Sequence, residues 1–361
     1  MVKSMLYRSL WLLLLLPLLA MGAEVKGLYE AEMFVGSQTR GERTLAMTAA
    51  LAEGFTKVSG RRDARLRPSL AKALRSPGSY LQQYHYRPLP AGTPTDTTAG
   101  DDPQLLVLRF DKPAVDKLLR EAGLPVWGAT RPSVLAWLAV EDDGQRYLLS
   151  ADSPEPLRRL LEDSAQRRGL ALLLPLQDLE DQMALGFADV WGEFRDPILR
   201  ASQRYRPEVV LAGRAYRNGD EWRADWTVME GQEQLRWQSD GVLPAEVLED
   251  GVMGAMEWLA ARYVPLEGAG DEGLLRVTVS GVHSLADYVR VTRYLSSVQQ
   301  IRRVHTRQVD ADQVGFELEV QGRPEGVAQI IALGNVLVRD ALAPVTPPAG
   351  GQAAQVYQLR P

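Results

Sequence analysis

The chain has 361 residues, of which 45% are hydrophobic and 24% are charged, and its formal net charge is −5. This length and composition suit a globular protein with two or three domains. The acidic balance argues against nucleic acid as a partner. The absence of cysteine excludes disulfides, thiol catalysis and lipid attachment through a thiol.

The amino terminus has the pattern of a secretory signal peptide. Lys3 and Arg8 precede the apolar run Trp11–Leu19, and a small residue follows at Gly22. This run is shorter than a membrane span of about 20 residues. We therefore expect residues 1–23 to be cleaved and the mature protein to be periplasmic, with at most peripheral membrane contact. An uncleaved helix anchored in the inner membrane is the alternative.

Residues 24–90 form the first predicted region, a small α/β module. A strand pattern, "GLYEAEMFV", precedes an amphipathic helix that Gly60 can end as a left-handed cap. The stripe of this helix consists of Met47, Leu51, Phe55 and Val58. Residues 91–103 contain turn residues without large apolar ones, which predicts a linker.

Residues 104–265 form the second predicted region, a central α/β domain. Buried-strand candidates ("QLLVLRF", "PSVLAWLAV", "LALLLPL") alternate with helical patterns ("PAVDKLLREAGL", "SPEPLRRLLEDSAQRRG"). Such alternation is typical of a sheet that is partly parallel.

Residues 273–361 form the third predicted region, where the pattern order βαββαβ predicts a ferredoxin-like α+β domain. A Pro/Gly/Ala-rich stretch, 343–354, predicts a disordered-like loop before the last strand, "QVYQLR". The chain as a whole is therefore expected to be α/β and α+β, with small mixed sheets.

The stretch 204–238 holds Trp222, Trp226 and Trp237. Apolar and polar residues alternate on both sides of a turn near Gly231, which predicts a hairpin whose indoles pack on a core. Exposed indoles stacking on sugars are the alternative, and they would make the chain a binding module for peptidoglycan or another envelope glycan.

The sequence offers little support for catalysis. His85, His283 and His305 lie in separate regions, and neither zinc-site spacing, a GxSxG elbow nor a phosphate-binding loop is present. We therefore predict no catalytic residues, no metal site and no cofactor.

The best candidate for chemistry is the acidic cluster Asp178, Glu180 and Asp181, which follows an apolar strand. Paired carboxylates could serve a hydrolase of the glycosidase type. The simpler interpretation is that Asp178 caps a helix and the other two acids complement its dipole.

The segment "GRRDARLRPSLAKALR" concentrates positive charge, and it suggests an interaction patch or, equally well, a solvated face. The candidate contact residues are Arg61, Arg62, Arg65 and Arg67.

Several spaced motifs between Leu28 and Val264 carry a family resemblance: "VSGRRDARLRPSLAKAL", "YLQQYHYRP", "GLPVWGATRPSVLAWLAV", "LLLPLQDLEDQ", "ADVWGEF" and "YRPEVVLAGRAY". Together they resemble the exported proteobacterial domain of unknown function family 2066. "PEVVLAGRAY" is also similar, at the level of fold, to the small α/β domain at the amino terminus of the Tol-system propeller protein. Related domains occur in the curli secretion lipoprotein and in a flagellar outer-ring protein. The resemblance implies an exported protein of uncharacterised role and supplies no catalytic residues.

These observations favour a non-enzymatic periplasmic protein, an accessory or adaptor that binds envelope proteins of unidentified nature. Glycan binding is the alternative, and a carboxylate-based hydrolase is the third hypothesis.

Overall fold

The computed structural model describes residues 23–89, 102–153, 156–264, 272–298, 300–321, 324–334, 336–340 and 354–360. Apart from their margins, the predicted signal peptide, the linker 91–103 and the loop 343–354 lie outside these residues. The described residues form mixed sheets with helices packed on them, so the predicted α/β and α+β class is confirmed.

The amino-terminal module is a three-stranded antiparallel sheet of order β2-β4-β3 with helices against one face. Its strands are β1 (Ala23–Glu24), β2 (Glu30–Val35), β3 (Leu81–Pro88) and β4 (Gln104–Phe110). Its helices are α1 (Arg40–Ser59), α2 (Ala71–Arg75) and α3 (Lys112–Glu121), with 3-10 turns at Arg62–Leu66, Pro68–Leu70 and Pro77–Tyr80. The short strand β1 pairs outside this sheet, with β5 (Thr130–Arg131).

Helix α1 forms as its sequence predicts. The side chain of Thr39 accepts a hydrogen bond from the backbone N–H of Glu42, which satisfies one orphan donor of the first turn. The predicted apolar stripe is buried in the module core, and Gly60 ends the helix at φ 66°.

The module extends further along the chain than composition indicated. Strand β4 and helix α3, which we placed in the central region, belong to the amino-terminal sheet and core. Strand β4 lies between β2 and β3 and completes the sheet. Local patterns cannot show this, because pairing across a linker depends on tertiary contacts.

The central domain is a sheet of order β11-β10-β9-β6-β7, with β8 also paired to β6. The strands are β6 (Ser133–Asp142), β7 (Gln145–Leu148), β8 (Ala171–Leu173), β9 (Val209–Asn218), β10 (Glu221–Glu230) and β11 (Glu233–Gly241). The helices are α4 (Pro156–Arg168), α5 (Leu179–Ala184), α6 (Phe187–Trp191), α7 (Arg195–Ser202) and α8 (Pro244–Tyr263).

Strand β6 is covered on both faces. Its even-numbered residues from Val134 to Val140 share a core with α4 and α8. Its odd-numbered residues from Leu135 to Ala139 pack with α5, α6 and α7. This burial explains why the strand is a continuous apolar run.

The carboxy-terminal domain confirms the predicted βαββαβ order and adds a strand. Its strands are β12 (Glu272–Ser280), β13 (Ile301–Val309), β14 (Gln313–Gln321), β15 (Leu337–Arg339) and β16 (Gln355–Leu359), in the order β13-β14-β12-β16-β15. Its helices are α9 (Leu285–Ser297) and α10 (Pro324–Leu333). Strand β15 pairs antiparallel with β16, which itself runs parallel to β12. Three residues are too few to show a strand period, so the sequence did not reveal β15.

A buried arginine joins the amino-terminal module to the central domain. The guanidinium of Arg131 donates hydrogen bonds to the carbonyl oxygens of Lys57 and Gly169, both at 2.8 Å. It also lies 4.4 Å from the ring centroid of Trp127. Because Lys57 and Gly169 stand at the carboxyl ends of α1 and α4, one cation complements two helix dipoles.

None of the helices in the part of the chain that the structure describes has the length and apolar content needed to cross a bilayer.

Candidate interaction surfaces

The tryptophan hairpin is part of the core. Trp222 and Trp226 are 2% and 1% exposed, and the two strands turn at Gly231 as predicted. A Cβ atom on Gly251 of helix α8 would lie 2.4 Å from the Trp226 ring, and one on Gly254 would lie 2.5 Å from Trp237. The indoles therefore pack directly on a helix backbone. This burial removes the main support for stacking on sugars.

The acidic cluster is a structural clamp around the start of α5. Asp178 is the N-cap, and its side chain accepts from the backbone N–H of Asp181 at 3.0 Å. The guanidinium of Arg204 donates to both carboxylate oxygens of Asp178, at 2.7 and 2.8 Å, and to Asp181 at 2.8 Å. The hydroxyl of Tyr205 donates to the other oxygen of Asp181 at 2.5 Å. We call these four residues the acid clamp.

The pKa shifts in the acid clamp favour a structural role for these residues over a role in proton transfer. The bidentate contact with Arg204, together with the backbone N–H of Asp181, holds the pKa of Asp178 far below its usual range. Burial, with the hydrogen bond to Asp181, raises the pKa of the Tyr205 hydroxyl to about 12. A general acid of the glycosidase type needs a raised carboxyl pKa. Asp178 has the opposite shift, and Glu180, whose side chain is 68% exposed, lies 3.6 Å from Arg204.

The acid clamp holds an exposed apolar surface. Leu176, Leu179 and Met183 are large apolar residues, and they are 49%, 71% and 75% exposed. Leu179 and Met183 are four residues apart on α5, so they share one helix face. Leu176 precedes α5 in the chain, and its backbone N–H donates to Tyr205 Oη at 2.8 Å. We call these three residues the α5 knob.

The basic segment lies at the seam between the amino-terminal module and helix α8. Arg62 donates to Asp250 at 2.6 Å and lies 3.5 Å from Glu257, while its backbone N–H donates to Glu257 at 3.1 Å. Arg168 pairs with Glu249 beside them. Arg62 therefore forms ion pairs within the chain. Sequence spacing could not indicate them, because Asp250 and Glu257 lie far from Arg62 along the chain.

The other predicted basic residues are also partly or fully exposed. Arg61 and Arg67 both pair with Asp63, at 3.2 and 2.9 Å. Arg65 is exposed and lines a small charged cavity together with Arg62 and Asp250. A role for Arg61, Arg62, Arg65 and Arg67 in partner binding stays a prediction.

Two cavities meet beside helix α9. A groove of about 700 Å³ runs along α9 and is lined by Leu285, Val289 and Val336. A cleft of about 700 Å³ lies between the amino-terminal module and the carboxy-terminal domain. Tyr294 and Ser297 line both cavities, so the two cavities adjoin; we call the pair the trough.

The three histidines remain apart in the fold. His85 is exposed on β3, His283 precedes α9, and His305 on β13 lies 3.2 Å from Glu319. Among the described residues, no group of three or more His, Asp or Glu side chains has the arrangement of a metal site. Function without a metal or a cofactor stays a prediction.

Sequence reasoning missed the α5 knob and the trough. A signal for the knob existed: Leu179 directly follows the cap at Asp178, and Met183 continues its face on a short helix. The trough had no local signal, because its walls come from segments far apart in the chain.

Comparison with known proteins corrects the family prediction. Residues 22–128 match the model of a domain of unknown function, DUF8605. The predicted family, 2066, with the weaker likeness attached to it, was therefore wrong. The match covers less than half of the chain and coincides with the amino-terminal module. It begins at β1 and ends just after the core residues Val126 and Trp127.

No curated protein matches the chain. Among solved structures, the chain is similar to the C-terminal domain of LpoB from Salmonella enterica, with 20% sequence identity and a TM-score of 0.23. The alignment covers 36% of this chain and 91% of that one. A likeness at this TM-score carries no conclusion about function.

Proposed function

We propose that this chain is a non-enzymatic protein of the bacterial cell envelope that acts by binding other proteins, and that the α5 knob is one of its contact surfaces. The location rests on the pattern of residues 1–23 and on the absence of cysteine. The proposal that the chain binds other proteins rests on the exposed α5 knob of the central domain.

The observation that carries the proposal is the exposure of three large apolar side chains on a rigid mount. Clustered exposed apolar residues indicate an interaction site more often than singly scattered ones do. Here Leu176, Leu179 and Met183 are ordered by the acid clamp rather than left on a loose loop. A preorganised contact loses less conformational entropy when a partner binds.

The absence of catalysis is supported by the state of the candidate groups. The carboxylate oxygens of Asp178 and Asp181 already accept hydrogen bonds from Arg204, Tyr205 and backbone N–H groups.

Glycan binding is the weaker candidate. It required accessible indoles, and Trp222 and Trp226 are buried. The near-parallel pair Phe187 and Trp191, with ring centroids 5.2 Å apart, is half-buried and packs against the core.

Affinity purification of the mature protein from cross-linked cell envelopes tests the proposal. We expect the wild type to recover a stoichiometric protein partner that Met183→Lys loses. Lysine preserves helix propensity and suits the end of α5. The matched control is Leu45→Lys on helix α1, because Leu45 is 73% exposed and lies outside both the knob and the basic segment. Recovery with sacculi alone, or equal recovery by Met183→Lys, would contradict the proposal.

A further inference from the structure

The trough beside α9 has an apolar end and a basic end. At the apolar end, Leu285 and Val289 lie four residues apart on one face of α9, and they are 78% and 42% exposed. Val336, which precedes β15, also lines the groove. These side chains remain in water although the domain has its own buried core on the other side of the helix.

The basic end lies where the amino-terminal module meets the carboxy-terminal domain. Among the described residues that line this cleft, Lys26, Lys112 and Arg120 are cations and Asp116 is an acid. Asp116 is buried and already accepts from Tyr29 at 2.5 Å and from Lys112 at 2.7 Å. Positive charge therefore exceeds negative charge at this end, in a protein whose net charge is −5.

Cations also follow the groove itself. Arg293 is exposed one helical turn beyond Val289 and lines the groove, next in sequence to Tyr294, which lines both cavities. A bound segment that covered Leu285 and Val289 and extended into the cleft would thus lie next to the positive charges of Lys26 and Lys112.

We infer that the trough binds a segment of a partner protein in which apolar residues are followed by Asp or Glu residues. The apolar part would cover Leu285, Val289 and Val336, and the carboxylates would lie against Arg293, Lys26 and Lys112. This inference deepens the proposed function and rests on it, because it assigns the chemistry of a partner to a second surface.

A protein segment fits better than an anionic lipid. Sites for small ligands bury most of the ligand surface. With Leu285 78% exposed, the groove is shallow, and an acyl chain lying in it would keep one side in water. A peptide segment of a folded partner is covered on its far side by its own protein, so a shallow groove suffices.

Site-specific photo-cross-linking in intact envelopes tests this inference. The full chain carries a photoreactive phenylalanine derivative in place of Leu285, with the exposed Leu45 of α1 as the control position. We expect a protein adduct at position 285 whose cross-linked peptide, read by mass spectrometry, contains apolar residues followed by Asp or Glu. Combining Arg293→Glu with Lys26→Glu should lower the adduct yield by about tenfold, as expected for the loss of two complementary charges.

The matched control is Arg159→Glu, an exposed arginine on α4 outside the trough. It should leave the adduct unchanged. Raising the salt concentration should weaken the wild-type adduct, a second readout that requires no substitution in the basic end.

A lipid adduct alone, a peptide without acids, or a yield that is indifferent to charge reversal and to salt would overturn the inference. Absence of an adduct at 285, with the Met183-dependent complex intact, would reject the trough and leave the proposed function standing. Loss of both would reject both.

Discussion

The guanidinium of Arg204 donates a hydrogen bond to Asp181 at 2.8 Å, and the Asp181 side chain is completely shielded from solvent. This contact joins the turn after α7 to the start of α5, and it sets the position of the knob. Because Asp181 also accepts from Tyr205 and from the backbone N–H of Gln177, its removal leaves several donors unmatched.

We therefore expect Asp181→Ala to lower the free energy of unfolding by about 3 kcal/mol, the scale for breaking one side of a buried ion pair. Urea denaturation followed by circular dichroism measures this change. The neighbouring exposed acid supplies the control, since Glu180→Ala should stay within about 0.5 kcal/mol of wild type. Equal effects of the two substitutions would show that the acid clamp is not structural.

The acid clamp also predicts how stability depends on pH. The pKa of Asp178 is lower in the folded chain than the value of about 3.9 that an unfolded chain has. A depressed carboxyl pKa contributes stability that is complete above the unfolded value and is lost as the pH falls toward the folded one. The urea midpoint should therefore hold down to about pH 5 and decline below about pH 4.

Asp178→Asn isolates this contribution. Asparagine is a good N-cap but does not titrate. The variant should be less stable than wild type at neutral pH, and the difference should shrink as the pH falls below about 4. A constant difference across this range would show that the ionised form of Asp178 is unimportant.

Alanine substitutions at two glycines test how tightly the amino-terminal module packs against α8. Gly60 and Gly123 both have a positive φ, at 66° and 67°. A Cβ on Gly60 would lie 2.7 Å from the Cβ of Ala260, whereas a Cβ on Gly123 meets nothing within 4 Å. Alanine at Gly123 should cost about 1 kcal/mol of backbone strain. Alanine at Gly60 should cost about 1–3 kcal/mol more, because it forces the seam apart. Similar thermal unfolding of the two variants would contradict this tight seam.

Substitutions in the tryptophan hairpin distinguish a structural role for Trp226 from a role in binding glycans. Trp226→Ala should reduce stability by about 3–5 kcal/mol, the range for a large core aromatic. Leu235→Ala, on the partner strand where Leu235 is 46% exposed, should change it by less than about 0.5 kcal/mol. If Trp226→Ala unfolded like wild type but lost affinity for peptidoglycan, the scaffold interpretation would fail.

Features set by neighbouring residues could be predicted from the sequence. The stripe of α1 with its cap at Gly60, the alternation at Trp222 and Trp226, and the capping role of Asp178 are all local. The βαββαβ order was readable for the same reason, because each element shows its own period.

Features set by distant partners could not be predicted. Strand β4 fits either sheet by its pattern, and only its pairing with β2 and β3 decides. Arg62 has the same local surroundings whether it meets solvent or Asp250. The trough exists only because α9 and the segment around Lys26 are brought together by the fold.

The most direct test of the proposed function is photo-cross-linking from position 183 in intact envelopes. The cross-link identifies the molecules that contact the α5 knob in the cell envelope. The account predicts one dominant protein adduct at this position, which disappears when Asp181→Ala displaces the helix that carries Met183. Adducts only to lipid or peptidoglycan, or a protein adduct that persists unchanged in Asp181→Ala, would contradict it.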